Sequence, residues 1–307
     1  MLKINKRTII HSSLFFALFL FSYACVNSSL KSIPDEAIIV CGDSKVLLVD
    51  YPENNDSVPT IVWSWDAQLA NDLPFEYRTR RFNSIDDCKP TPDGKQVMVS
   101  SSSGAIAIVG IKDKKVTFLA DVPNAHSIEM LPGNKIAAAA STASNGNKIM
   151  LFENTQPEKL LDTDSLYSAH GVVWNSKRNV LYALGYDVLR EYEISKDDKL
   201  VLKNEWTIPG ISGHDLLMVP GGDKLFMTEH TGAWIFDIEA QRFDKIDQFP
   251  DAEHIKSINQ HPSGLYVFTA AEESWWTYRV KLSDPSGSSG ILSFPNLKVY
   301  KARLYSK

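Results

Sequence analysis

The sequence predicts an all-β fold, a six-bladed β-propeller closed by pairing the C-terminal strand into the first blade, and three observations predict it. A polar residue opens a short apolar strand at Asp87, His126, His170, His214 and Lys256, recurring about every 40 residues, the period of a four-stranded blade. Each of these strands runs into a turn, at Pro92-Asp93-Gly94, Pro132-Gly133-Asn134, Asn175-Ser176-Lys177, Pro220-Gly221-Gly222 and Pro262-Ser263-Gly264. Finally, the N-terminal region supplies one strand too few for a blade while a spare strand remains at the C-terminus, and joining them removes two open sheet edges.

Residues 1–24 read as an export signal: Lys3, Lys6 and Arg7 precede an apolar core from Leu14 to Phe21, too short to span a membrane comfortably. The small residues before Cys25 resemble a bacterial lipobox, although Ser22 stands where that motif usually has Leu. This makes Cys25 the expected lipidated first residue of the mature chain. No acidic run follows it, which favours a periplasm-facing position in the envelope over the outer surface. Residues 25–34 are polar and turn-rich, a tether, and 35–307 form the propeller as one domain.

The first blade takes strands at 37–41, 46–51 and 60–65, each rich in β-branched or aromatic residues. Residues 66–84, ending in Arg78, Arg80 and Arg81, are an irregular or helical insertion, a lid or a solvated connection. The second blade uses 85 onward, 96–100, 105–111 and 116–120; the third 127–131, 135–140, 148–152 and 159–161; the fourth 171–174, 180–184, 189–194 and 200–206. The fifth uses 215–219, 224–228, 233–237 and 243–248. In the sixth, 257–260, 265–270 and 276–282 are followed by a Ser/Gly linker and 291–294. Strand 298–305 is the spare one that completes the first blade.

A chain of 307 residues with 44% hydrophobic content can bury a large core. Its net charge of −5 and the lack of a basic stripe with interleaved aromatics exclude a general nucleic-acid binder. A monomer is expected, reaching the membrane by its lipid anchor only. Apart from Cys25 the sole cysteines are Cys41 and Cys88, read as small buried side chains with their pairing left open.

In a propeller the first residue of each innermost strand sits at one mouth of the central channel. Register therefore gathers Asp87, His126, His170, His214 and Lys256 there, with Arg303 as the sixth member from the closing strand. Packing alone would select small apolar residues at such positions, so these six are the candidate catalytic set. Loops opening on the same face bring Asp43, Ser101, Asn147, Tyr186, Glu229, His230 and Trp275 to the rim, and of these Asn147, Tyr186, His230 and Trp275 are the candidate ligand contacts. His126, His170 and His214 could hold one divalent metal; without it, the same ring suits an acidic ligand.

Asp86-Asp87-Cys88-Lys89, Ala125-His126-Ser127, His170-Gly171-Val172-Val173-Trp174 with Ala183-Leu184-Gly185-Tyr186, Gly213-His214-Asp215-Leu216, Lys256-Ser257 and Trp275-Trp276 together resemble a family of exported bacterial six-bladed propeller lipoproteins, a domain of unknown function. The resemblance spans about residues 35 to 305. It implies the fold and the export and carries no activity. A His-lined mouth is also similar, in architecture alone, to propeller-fold polysaccharide and oligouronate lyases. Three readings follow: an enzyme of the lyase or hydrolase type acting on an acidic saccharide, a non-catalytic module that binds a carbohydrate or other small ligand, and an envelope interaction scaffold. No nucleophile elbow, phosphate loop or HExxH motif narrows them.

Overall fold

Short runs of Val, Ile, Ala and aromatic residues, cut by Gly, Asn and Asp turns, form strands because a pleated half-buried surface suits them. The computed structural model describes residues 33–50, 58–247, 249, 253–285 and 289–306. The expected export signal, Cys25 and nearly all of the expected tether lie outside the described residues. Six four-stranded antiparallel sheets make six blades. Blade 1 holds β1 (Glu36–Gly42), β2 (Lys45–Asp50) and β3 (Ile61–Asp66); blade 2 holds β4 (Ile85–Pro90), β5 (Gln96–Ser101), β6 (Ala105–Gly110) and β7 (Val116–Asp121). Blade 3 is β8 (Ala125–Leu131), β9 (Lys135–Ala140), β10 (Lys148–Glu153) and β11 (Leu160–Ser165), and blade 4 is β12 (Gly171–Asn175), β13 (Val180–Leu184), β14 (Val188–Ile194) and β15 (Leu200–Thr207). Blade 5 is β16 (Asp215–Met218), β17 (Lys224–Glu229), β18 (Gly232–Asp237) and β19 (Arg242–Lys245). Blade 6 is β20 (Ile255–Gln260), β21 (Tyr266–Ala270), β22 (Arg279–Ser283) and β23 (Ser289–Ser293), and β24 (Val299–Ser306) then returns to pair antiparallel with β1.

The first strand of each blade is the inner one, with β24 taking that place in blade 1. Strands β24, β4, β8, β12, β16 and β20 touch one another in this order and close a ring. Between blades lie six apolar seams. Trp65 and Phe82 meet Cys88 and Val99 between blades 1 and 2, Phe118 meets Phe152 between 2 and 3, and Val40 meets Val267 and Leu292 between 6 and 1. Burying one side chain of this size contributes about 1.5–3 kcal/mol, so the seams bind the blades into one body.

Several expected strands shift their bounds, the last strand of blade 3 running over Leu160–Ser165 rather than 159–161. The third strand of blade 6 starts at Arg279 rather than at 276, because Thr277 instead bridges Val299 of the closing strand. The last strand of blade 5 ends at Lys245. The insertion after β3 is a short 3₁₀ turn (Ala67–Leu69) capped by Asp66, followed by a π turn (Tyr77–Arg81). Leu73 and Phe82 sink it into the seam between blades 1 and 2.

Candidate functional site

The mouth is built by a local backbone device repeated around the ring. In four blades the residue two before the expected ring position is left-handed: Asn124 (φ 48°), Ser168 (φ 50°), Ser212 (φ 61°) and His254 (φ 58°). Just after it the inner strand carries one extra residue, a β-bulge. Register skips Asp86, His126 and Lys256 in β4, β8 and β20, and Tyr300 in β24. In blades 4 and 5 the N–H groups of His170 and His214 donate to the carbonyls of Leu184 and Thr228, which already oppose Gly171 and Asp215.

The ring is therefore Asp86, His126, His170, His214, Lys256 and Tyr300. His126 and His170 lie 4.2 Å apart by ring centroid, His170 and His214 5.6 Å, and His126 and Tyr300 6.0 Å. Lys256 Nζ donates to His214 Nε2 at 3.0 Å and stands 5.9 Å from the Tyr300 ring. The expectation that Asp87 and Arg303 sit at this mouth is corrected by register: the bulge puts Asp86 and Tyr300 there. Asp87 lies one residue further along its strand and Arg303 three.

Those two residues belong to a buried ionic plug. Arg303 gives Nη1 and Nη2 to the two oxygens of Asp215 (2.7 and 2.6 Å) and Nε to Asp87 (3.0 Å). Lys301 Nζ reaches Asp215 (3.0 Å) and the His214 carbonyl (3.2 Å), and Lys89 Nζ reaches Glu129 (3.0 Å) and the Val172 carbonyl (2.6 Å). Lys89, Lys301 and Arg303 thus balance Asp87, Glu129 and Asp215. Burial alone would raise the Asp87 and Asp215 carboxyls, but Arg303 and Lys301 outweigh it and hold both below the usual carboxylate range. Beyond the plug a cavity of about 300 Å³, lined by Lys89, Glu129, Asn259, Arg303, Trp174 and Met218 among others, opens at the other end of the inner strands.

The imidazoles are held in defined tautomers. Nδ1–H of His126 donates to the Asn124 carbonyl (3.0 Å) and that of His170 to the Ser168 carbonyl (2.8 Å), so each presents the lone pair of Nε2. Burial lowers His126 to about 4, while His170 and His214 fall well below the usual range through burial joined by neighbouring His126 and His214 in one case and Lys256 in the other. All three are neutral at pH 7. Burial, then Lys301, lowers Lys256 to about 8. Burial raises Asp86 to about 7 against the hydrogen bonds of Ser102. Among the described residues no three His, Cys, Asp or Glu side chains form a metal-holding group, and the Nε2 of His214 is engaged by Lys256.

The rim residues divide. Asn147 Oδ1 accepts the Ser168 N–H at 2.9 Å and thereby positions the loop that carries His170. Tyr186 lies 5.5 Å from Tyr167 by ring centroid, and the exposed His230 packs edge-on against His254 at 4.3 Å. Trp275 is 60% exposed and borders a cavity of about 120 Å³ with Trp276, Asp43, Lys298 and Tyr300. Glu229 and Ser101 are consumed as loop ties, Glu229 accepting from Thr231 and Trp234 and Ser101 donating to the Ser84 carbonyl. Sequence reasoning missed Asp86, Tyr300 and His254. Asp86 and His254 stand beside residues it named, and only the unseen bulge and the left-handed position hid them.

A family model described as a family of unknown function (DUF6528) matches residues 22–306. The chain belongs to DUF6528. Comparison with curated proteins finds no match for this DUF6528 member. Among solved structures it is similar to the hydrazine synthase of Kuenenia stuttgartiensis, with a TM-score of 0.52 and 13% identity over 70% of this chain and 68% of that one. At that identity the likeness shows the propeller fold alone.

Proposed function

We propose that this DUF6528 propeller, a monomer exported and anchored through Cys25, captures a small acidic, hydroxyl-bearing ligand of the uronate type at the His ring. One observation carries the reading: Lys256 is a buried cation without a counter-ion. The plug balances its own charges, whereas the Nζ of Lys256 has a neutral imidazole as partner and no carboxylate in ion-pair reach among the described residues. A buried unpaired charge is costly, and a ligand carboxylate offsets that cost. The Nε2 lone pairs of His126 and His170 accept ligand hydroxyls, and Trp275 supplies an apolar face for a sugar ring. Arg303 is saturated in the plug and leaves carboxylate recognition to Lys256. The neutral, weakly basic imidazoles favour capture over elimination chemistry, and a metal is not required.

Calorimetry with the methyl glycoside of glucuronate tests this, beside the uncharged methyl glucoside and a chelated sample. The acid should bind, the neutral sugar at least about tenfold more weakly, a difference of about 1.4 kcal/mol, and chelation should change nothing. Equal binding of both sugars sinks the acidic-ligand reading; loss on chelation replaces direct contact with a bound cation. Appearance of an unsaturated product would convert capture into lyase chemistry. For the anchor, Cys25→Ser should move the protein from the membrane fraction to the soluble one.

A further inference from the structure

Three lysines are buried in the inner ring, and their surroundings differ in kind. Lys89 and Lys301 each give Nζ to a carboxylate and to a backbone carbonyl. Neither acceptor type relieves a lysine of its proton at neutral pH: a carboxylate pair favours the ammonium, and an amide oxygen is a far weaker base than an amine. Lys256 instead donates to the Nε2 of neutral His214 at 3.0 Å, an uncharged acceptor that does not favour the ammonium as a carboxylate does. Tyr300 lies below the ammonium and Lys301 is the nearest like charge.

His214 carries a second signal. Because its Nε2 accepts from Lys256, its ring proton sits on Nδ1, and Nδ1 is buried with no hydrogen-bond partner among the described residues. The residue is only 8% exposed. A buried donor left unpaired is uncommon and asks for an explanation. A proton on Nδ1 fixes Nε2 as the acceptor that faces Lys256.

We propose that Lys256 captures the carbonyl carbon of its ligand as an imine, so that the acid taken at this mouth is an aldehydic or keto acid, such as a uronate in its open-chain form. The inference rests on the acidic-ligand reading and narrows it. Lys256 gives up a proton to solvent, and the free amine, still beside His214 Nε2, attacks the carbonyl carbon. A C–N bond forms, the π pair moves to oxygen, and a proton passes from the attacking nitrogen to that oxygen to give a carbinolamine. The carbinolamine hydroxyl takes a proton from solvent and leaves as water while the C=N bond forms. The product is a protonated imine, so the positive charge stays beside the ligand carboxylate and no oxidant or reductant is consumed.

Reductive trapping tests the step. The full-length protein is incubated with glyoxylate or free glucuronate and cyanoborohydride, and the adduct is mapped by peptide mass spectrometry. One adduct on Lys256 is expected, absent from Lys256→Arg, a variant first shown by circular dichroism and melting to be folded. Labelling spread over exposed lysines and unchanged in Lys256→Arg overturns the proposal. The methyl glycoside of glucuronate, whose carbonyl is masked, separates the two failures. If it binds but glyoxylate is not trapped, the imine is wrong and acid capture stands; if it does not bind and nothing is trapped, both are wrong.

Discussion

Lys256→Met separates binding from stability, because methionine keeps an unbranched stem and removes a buried charge that nothing in the fold neutralises. The variant should lose acidic-ligand binding and gain about 1–3 kcal/mol of stability, read as a higher melting temperature. A lower melting temperature would mean that the ammonium stabilises the mouth without ligand. The histidines set the pH dependence. His126 is lowered to about 4 and His170 and His214 are likewise held well below the usual range, so the unfolded chain binds protons that the folded one refuses. Their contribution is fully present above about 6.5 and is lost as pH falls below it. Asp86, raised to about 7, opposes this by stabilising the fold as pH falls from 7. Urea midpoints at pH 7 and 5 should therefore drop for the native protein and drop further for Asp86→Asn. An unchanged midpoint would contradict the buried neutral imidazoles. His126, His170 and His214 touch in series, so on ligand affinity their single and double alanine variants should be non-additive.

At the scale of the strand, three of the six inner strands do two jobs in sequence, with a ring residue followed by an ion of the plug. Asp86 then Asp87, His214 then Asp215, and Tyr300 then Lys301 repeat the pattern. Arg303→Ala leaves the Asp87 and Asp215 carboxylates buried without their main partner and should cost about 3–5 kcal/mol while sparing ligand affinity at low temperature, because the guanidinium belongs to the plug and not to the mouth. A loss of affinity with stability intact would return Arg303 to the binding site. This division also explains what the sequence could reveal. Strand order, blade count and the three histidines were legible because each inner strand opens on the same motif and turn. The depth of Asp87 and Arg303 was not, since a bulge adds a residue without altering the spacing of repeats. The roles of Glu229 and Ser101 were hidden for another reason: whether a rim side chain faces ligand or ties its own loop depends on contacts such as Glu229 with Trp234, which no local pattern encodes.

For the whole molecule the closing strand joins fold and site, since β24 carries Tyr300 of the ring, Lys301 and Arg303 of the plug, and the register with β1 from Glu36 to Gly42. Deleting residues 296–307 removes buried Val299, Ala302 and Tyr305 as well, each worth about 1–3 kcal/mol, and the ionic loss adds about 3–5 kcal/mol. Together these meet or exceed the roughly 5–15 kcal/mol by which a domain is stable. The truncated chain should therefore fail to melt cooperatively, and its bare β1 edge should drive association. Removing the strand removes its charges too, so Lys301→Met/Arg303→Met is the control that keeps the strand and deletes the cations. If ring closure matters beyond the plug, the truncation must be markedly less stable than this double variant and must aggregate where it does not. Equal stability of the two would assign the effect to the ions, and leave the pairing of β24 with β1 a contact that the other five blades can spare.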